Sequence, residues 1–408
     1  MPNRRLSRFG WLTCQYLQNC ICANIYQRLS PSWLALLMKS SNFGYIPALD
    51  HLRGIAAVLI VYFHGSHLIA HKLQSQVPYN LSYWPTAGNP LSSLVLEGHT
   101  AVSLFFVLSA FVFTVGSMNR NVNFVGFYRN RLLRTYPLFL FFLSLGIAFN
   151  MVNFSLPALV RSVFFGANSS GAVDGGPFTF VFWSVAVEWH FYLLFPFLIY
   201  LVKKFSWPIL CVLILCFVLI RFYLMLQGAD MLLVSYWSML GRMDQFLIGM
   251  LAGLFYLNRF EESRRFDFIA LFGMILVLTA LFAYNQYGGS ASNNQKWVIW
   301  PTIEASCWSI FVMGYLSVSR HFPVWMGRGL VALGTVSYSI YLVHYVVLDF
   351  LLQRDWDVIL RVPDPLVSAV LNITLLLLPL VLLISTFTYW LVERPFLVRR
   401  KTYMVLTS

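Results

Sequence analysis

L-D-H-L-R-G-I-A-A-V-L-I-V-Y-F-H-G-S-H-L-I-A-H, residues 49–71, is the stretch around which the rest of the chain is organised. From Gly54 to Phe63 it is almost unbroken apolar sequence, and with its flanks it reaches the length of a helix that crosses a bilayer. Arg53 and His64 bracket that run. Eleven steps at about 100° each bring both side chains onto one helix face, and at about 1.5 Å per residue they stand roughly 16 Å apart, about half a hydrocarbon core. Arg53 is therefore expected near a membrane surface and His64 near mid-depth, where an ionisable group usually faces a polar cavity or pathway. A topology anchor and a hydrogen-bonded core histidine would leave the same trace.

The composition agrees with that reading. Hydrophobic residues make up 59% of 408 and charged residues 11%, against roughly 25% charge in soluble domains. The fold class is an all-α polytopic membrane protein. A net charge of +13 does not indicate nucleic acid, because the basic residues fall in short clusters between apolar runs, as they do where helices are held against the cytoplasmic leaflet. The six cysteines form no framework. Cys14, Cys20 and Cys22 lie near the start, Cys211 and Cys216 share one apolar run and Cys307 sits in another, with no metal-ligand spacing. No cleavable signal peptide is read. Residues 1–45 hold Arg4, Arg5, Arg8 and Arg28 and only short apolar stretches; they read as a disordered or interfacial cytoplasmic extension, or as a mis-called start ahead of Met38.

Runs near 20 apolar residues place about ten transmembrane helices, at about 52–71, 100–118, 135–154, 180–202, 207–226, 243–258, 266–284, 298–318, 330–352 and 366–391, the last with Pro379 as a kink. The Lys/Arg bias orients them with both termini cytoplasmic. Arg120, Arg129, Arg131 and Arg134, then Lys203 and Lys204, Arg259, Arg264 and Arg265, Arg320 and Arg328, and Arg394, Arg399, Arg400 and Lys401 fall on the inner side. Lys72, Arg161, Arg221, Arg242, Lys296, Arg354 and Arg361 fall on or near the outer side. The domain boundaries are then an extension over 1–45, a membrane domain over 46–397 and a cytoplasmic tail over 398–408. Outer loops 72–99, 155–179 and 285–297 are rich in amides, hydroxyls and aromatic rings, which suit neutral polar ligands such as sugars, although ordinary loop chemistry gives the same composition.

Several residues could carry chemistry. In F-Y-R-N-R-L-L-R-T-Y-P, Arg131 and Arg134 are three apart on one helix face, where guanidiniums can clamp phosphates; positive-inside anchoring is the plainer reading. In F-W-S-V-A-V-E-W-H-F-Y-L-L-F-P, Glu188 lies within a membrane segment between Trp183 and Trp189, a costly place unless it is paired, protonated or wetted. A structural pairing with an arginine would meet that cost. His190 reads as interfacial. Arg242 and Asp244 open the helix whose Gly249 and Gly253 make a small-xxx-small packing face. In V-S-Y-S-I-Y-L-V-H, His344 follows the hydroxyl-rich Ser337, Tyr338, Ser339 and Tyr341. Two intramembrane histidines with a glutamate and several arginines point to a polar centre comprising Arg242, His344 and Tyr338 beside His64.

Taken together, L-D-H-L-R-G, the R-x10-H spacing ending at His64, S-L-F-F-V-L-S-A-F, R-L-L-R, W-S-V-A-V-E-W-H-F-Y-L-L-F-P, S-Y-S-I-Y-L-V-H and the final V-E-R-P-F resemble the acyltransferase-3 family over roughly residues 45–397. These are bacterial membrane O-acyltransferases of surface and secreted glycans. Each motif is weak alone; the ordered set is specific. The resemblance implies a bacterial inner-membrane location, acyl-CoA (acetyl-CoA foremost) as co-substrate with no bound cofactor or metal, and a carbohydrate or glycolipid acceptor such as O-antigen or exopolysaccharide. Membrane lipid is the remaining partner, and nucleic acid is not one.

Carried onto this sequence, the resemblance makes Arg53 and His64 the catalytic pair, Arg131 and Arg134 the acyl-CoA site, and Glu188 the intramembrane glutamate of the catalytic set. His51 and Ala110 stand where members often have Gly, and His190 where they often have Gln. The outer esterase-like domain of some members is not in this sequence. On this reading His64 is a general base working through either ring nitrogen, or a nucleophile that forms an acyl-histidine. The rival readings are a transporter or flippase of a lipid-linked glycan that uses the same polar centre, and a membrane sensor whose histidines are structural.

Overall fold

The computed structural model describes residues 44–75, 79, 84–151, 154–260, 267–291 and 295–406; the readings made for residues 1–43 and for Arg264 and Arg265 lie outside them. The chain divides into Met1–Tyr45 and Ile46–Ser408, and the second unit is a helical bundle. Its helices are α1 (Pro47–Ser75), α2 (Pro90–Leu96), α3 (Thr100–Ser117), α4 (Phe124–Phe149), α5 (Leu156–Arg161), α6 (Phe182–Phe205), α7 (Pro208–Leu226) and α8 (Met239–Phe255). They continue with α9 (Asp267–Gln286), α10 (Trp300–Val318), α11 (Val324–Thr335), α12 (Ser337–Gln353) and α13 (Pro365–Leu397). Among the described residues, seven helical segments are long and apolar enough to cross a membrane, or eight when the bent pair α11–α12 is taken as one span. The chain is an all-α polytopic membrane protein. Helices α8 and α10 coincide with two further expected spans; α8 has 17 residues, and α10 carries the buried Glu304.

Local chemistry explains the boundaries. Side-chain oxygens of Asn89, Asn123, Ser238 and Asp364 accept from backbone N–H groups at the starts of α2, α4, α8 and α13, each satisfying a donor that the helix leaves open. The Asn123 cap starts α4 eleven residues earlier than the apolar run at 135–154 suggests, so Arg129, Arg131 and Arg134 lie on its first turns and the helix ends at Phe149. The span expected at 330–352 is broken by a 64° bend between α11 and α12. There Gly334 meets α1 backbone to backbone, since a Cβ on it would stand 2.0 Å from the Asp50 carbonyl oxygen, and Ser337 Oγ donates to the Gly334 carbonyl at 2.8 Å. Just ahead of Pro379, where a kink is expected, the helix holds a π-helical turn, Ile373–Leu377, a usual site of helix bending. The small-xxx-small face on α8 packs on α3: a Cβ on Gly249 would lie 2.5 Å from the Val107 carbonyl oxygen, and one on Gly253 3.1 Å from that of Phe111.

The expected 398–408 tail is docked. Strand β2 (Met404–Leu406) pairs antiparallel with β1 (Arg120–Val122), Asn130 Nδ2 donates to the Lys401 carbonyl at 2.7 Å, and the Tyr403 and Phe127 rings meet at 5.8 Å. Lys203 Nζ donates to the Arg120 carbonyl and Arg129 to that of Arg399. The basic segments are thereby gathered at one end of the bundle, the basic end, from which α4 runs away toward the other.

Candidate active site

Helix α1 carries Arg53 near the basic end and His64 three turns further on. The bend before α12 brings His344 against it, and the two imidazoles meet with His64 Nδ1 3.1 Å from His344 Nε2. The second nitrogen of His344 settles the proton arrangement: its Nδ1 lies 3.2 Å from the Ile340 carbonyl oxygen one turn back, which can only accept. His344 therefore holds its proton on Nδ1 and presents a lone pair at Nε2, and His64 donates from Nδ1. That leaves His64 Nε2 as the basic nitrogen, which the sequence left open. Fully buried His344 acts as the fixed member, while His64 is partly exposed. Around His64 stand the rings of Phe63 (4.8 Å between centroids), Tyr345 (5.2 Å) and Phe180 (5.9 Å).

At the basic end the two arginines of R-L-L-R face different neighbours. The Arg131 guanidinium lies over Phe113 at 4.9 Å, with Phe127 and Tyr192 each at 5.9 Å, and makes no ion pair among the described residues. Arg134 is 3.5 Å from Glu393 and 5.9 Å from the Tyr338 ring; Glu393 also accepts from Ser339, and Tyr338 Oη donates to the Thr135 carbonyl. Arg400, beyond the last span, joins this group. Burial, then the Arg134 and Arg131 guanidiniums, push it down to about 10. Such mutual repulsion marks an excess of positive charge that an anion would relieve. Arg53 pairs with Asp50 one turn earlier, at 2.9 Å. Glu188 forms no ion pair among the described residues; Ser109 Oγ donates to it at 2.6 Å and Tyr192 is its second hydroxyl partner. The hydrogen-bond partners of His64 are thus His344 and the Ile60 backbone.

Arg242 is fully buried in a separate network on α8. It lies 3.5 Å from Glu304 and 4.5 Å from the Tyr236 ring, and donates to Ser103; Ser103 and Gln245 both donate to Glu304. One turn round, Arg221 pairs with Asp244 at 2.7 Å and Thr302 donates to the same carboxylate. Arg221 and Arg242, assigned on or near the outer side from charge bias, are both fully buried in the bundle, where each finds a carboxylate.

Sequence reasoning passed over Glu304, Glu393, Arg400, His67 and Glu97. Buried Glu97 accepts from Trp84 Nε1 and Asn285 Nδ2 at 2.7 Å and from His99 Nε2 at 3.0 Å, tying loops together at the end opposite the basic one. His67 donates through Nε2 to the Leu96 carbonyl at 2.8 Å. For Glu304 and Glu393 a signal was present, since a carboxylate inside an apolar run is rare and functional or paired by default. Among the described residues no group of three or more His, Cys, Asp or Glu side chains is placed to hold a metal ion.

Comparison with known proteins matches residues 46–392 to the profile of a family described as an acyltransferase domain. No curated protein and no solved structure matches the chain. The glycan-transporter alternative finds no support in these comparisons.

Proposed function

The chain belongs to the acyltransferase-3 family, and from that premise we propose that it moves an acyl group, acetyl foremost, from acyl-CoA to a hydroxyl of a cell-surface or exported carbohydrate in the bacterial inner membrane. The observation that carries this reading is the imidazole pair part-way along a bundle whose basic end gathers Arg131, Arg134 and Arg400. With the basic end on the cytoplasmic side, as the positive-inside bias favours, those arginines receive the CoA phosphates and Arg53 holds the donor on its way along α1. Glu188, fixed by Ser109, is a positioning group on the donor side.

His64 Nε2 takes the proton of the acceptor hydroxyl as its oxygen attacks the thioester carbonyl. The new ester C–O bond forms, the C–S bond breaks, and the imidazolium returns the proton to the departing CoA thiolate. His344 keeps His64 in the productive tautomer by accepting from Nδ1, the part a carboxylate plays in a hydrolase triad.

The test is a mass spectrum of surface polysaccharides from cells with and without the gene. Acyl mass lost on deletion, and restored by wild type but not by His64→Ala, supports the reading; restoration by His64→Ala contradicts it.

A further inference from the structure

A cavity of about 480 Å³ opens at the end of the bundle away from the basic cluster, lined by residues from Ala167 to Phe180 together with Tyr345 and Asp349. Its volume falls among small-ligand sites, about 300–1,000 Å³. Two of its lining rings, Phe180 and Tyr345, are stacked on each other with centroids 4.0 Å apart and planes 14° from parallel. The same two rings stand 5.9 and 5.2 Å from the His64 imidazole. They are therefore at once a wall of the cavity and the cover over His64. The polar lining is Ser169, Asp174, Thr179 and Asp349, with no lysine or arginine among the lining residues. One Asp174 oxygen accepts from the Gly176 N–H at 3.1 Å, and Asp349 Oδ2 accepts from Gln353 Nε2 at 2.6 Å, so each carboxylate is already steadied in place.

We infer that this cavity is the acceptor subsite, that it takes an uncharged sugar ring, and that the Phe180–Tyr345 stack is a gate that parts to admit one hydroxyl to His64. This rests on the acyl-transfer reading above. Carboxylates with spare lone pairs accept from sugar hydroxyls, and aromatic faces pack on the apolar face of a pyranose. With two carboxylates against the one guanidinium of Arg161, which donates to the Ser170 carbonyl beside lining Gly171, the cavity carries a net negative charge that disfavours a uronic acid or a phosphate. The closed stack also has a chemical use: it shields a donor thioester beside His64 from water until an acceptor arrives.

The test uses the full chain in detergent with acetyl-CoA, and p-nitrophenyl β-glucoside and p-nitrophenyl β-glucuronide as probes, following CoA release and acetylated product separately. Wild type acetylates the glucoside in preference to the glucuronide. Asp349→Asn, which loses charge-assisted hydrogen bonds, raises the glucoside KM about tenfold and leaves the acetyl-CoA KM unchanged. Tyr345→Ala opens the gate, so CoA release into water rises severalfold while glucoside transfer falls; Tyr345→Phe, which keeps the stack, restores coupling. A glucuronide preference overturns the proposal, as does CoA release with transfer to neither probe. Equal loss of hydrolysis and transfer in Tyr345→Ala, showing a structural part only, does the same. Absence of any CoA release from wild type contradicts the acyl-transfer reading itself, which separates the two failures.

Discussion

His344→Ala removes one acceptor of the His64 imidazole, a bond of 3.1 Å to a fully buried ring, while the Ile60 carbonyl stays as a second partner. Losing one such bond costs about 0.5–1.5 kcal/mol, and every 1.36 kcal/mol is tenfold in rate. If that cost falls on the reactive geometry, kcat drops between about twofold and tenfold. The variant imidazole can also turn or change tautomer, which adds to the loss. On the proposed mechanism the donor binds away from this pair, at Arg131, Arg134 and Arg400, so the KM for acyl-CoA is expected to stay constant. His344→Gln, whose amide oxygen can accept from Nδ1, recovers part of the rate. His64→Ala costs about 10²–10⁴-fold, and the double variant costs no more than His64→Ala alone, since the two rings work as a unit. The assay is steady-state acyl transfer by purified variants, with thermal unfolding to confirm that each is folded. Full kcat in His344→Ala, or additive losses in the double variant, would refute the dyad.

Three further outcomes follow from the fold. Arg242→Met leaves Glu304 buried without its cation and destabilises the bundle by about 3–5 kcal/mol, whereas Arg242→Met with Glu304→Leu recovers most of that, because well-packed apolar residues replace a buried pair at little cost; denaturant titration in micelles reads both. Gly249→Val drives a side chain into the Val107 carbonyl at the α3–α8 contact, so folded yield falls by more than for Gly228→Ala, where an added Cβ meets nothing within 4 Å even though the backbone φ is +74°. Lys296, in the loop between α9 and α10, is lowered by burial to about 8, with Glu97 acting in the opposite sense. Below pH about 8 both folded and unfolded chains hold this proton; between about 8 and 10.5 only the unfolded chain does, so stability rises with pH across that window. The rise in Tm between pH 8 and 10 is therefore smaller in Lys296→Met than in wild type.

The pattern of apolar runs was enough to place most helices, and the eleven-residue interval from Arg53 to His64 survives intact because it depends only on helical period. What the sequence hid depends on contacts between distant segments. His344 meets His64 on the helix that follows a 64° bend between α11 and α12, and Gly334 at that bend is pressed against Asp50. The partner of Arg242, Glu304, could not be read because it lies on another helix. Charge bias cannot tell a cation held in water from one held by a carboxylate in the core. Arg400 read as one more tail cation, yet the β1–β2 pairing folds the tail back onto α4 and places it beside Arg134 and Arg131. Short strands of three residues carry too little pattern to be read in advance.

The decisive measurement is CoA release and product acylation by the purified protein in sealed vesicles, with acyl-CoA offered on the side of the basic end and a neutral glycoside on the other. Ester formed across the membrane by wild type, and abolished by His64→Ala without loss of acyl-CoA binding, is the predicted result. Transfer that persists in His64→Ala, or that requires donor and acceptor on the same side, would contradict an imidazole fed from opposite ends of one bundle.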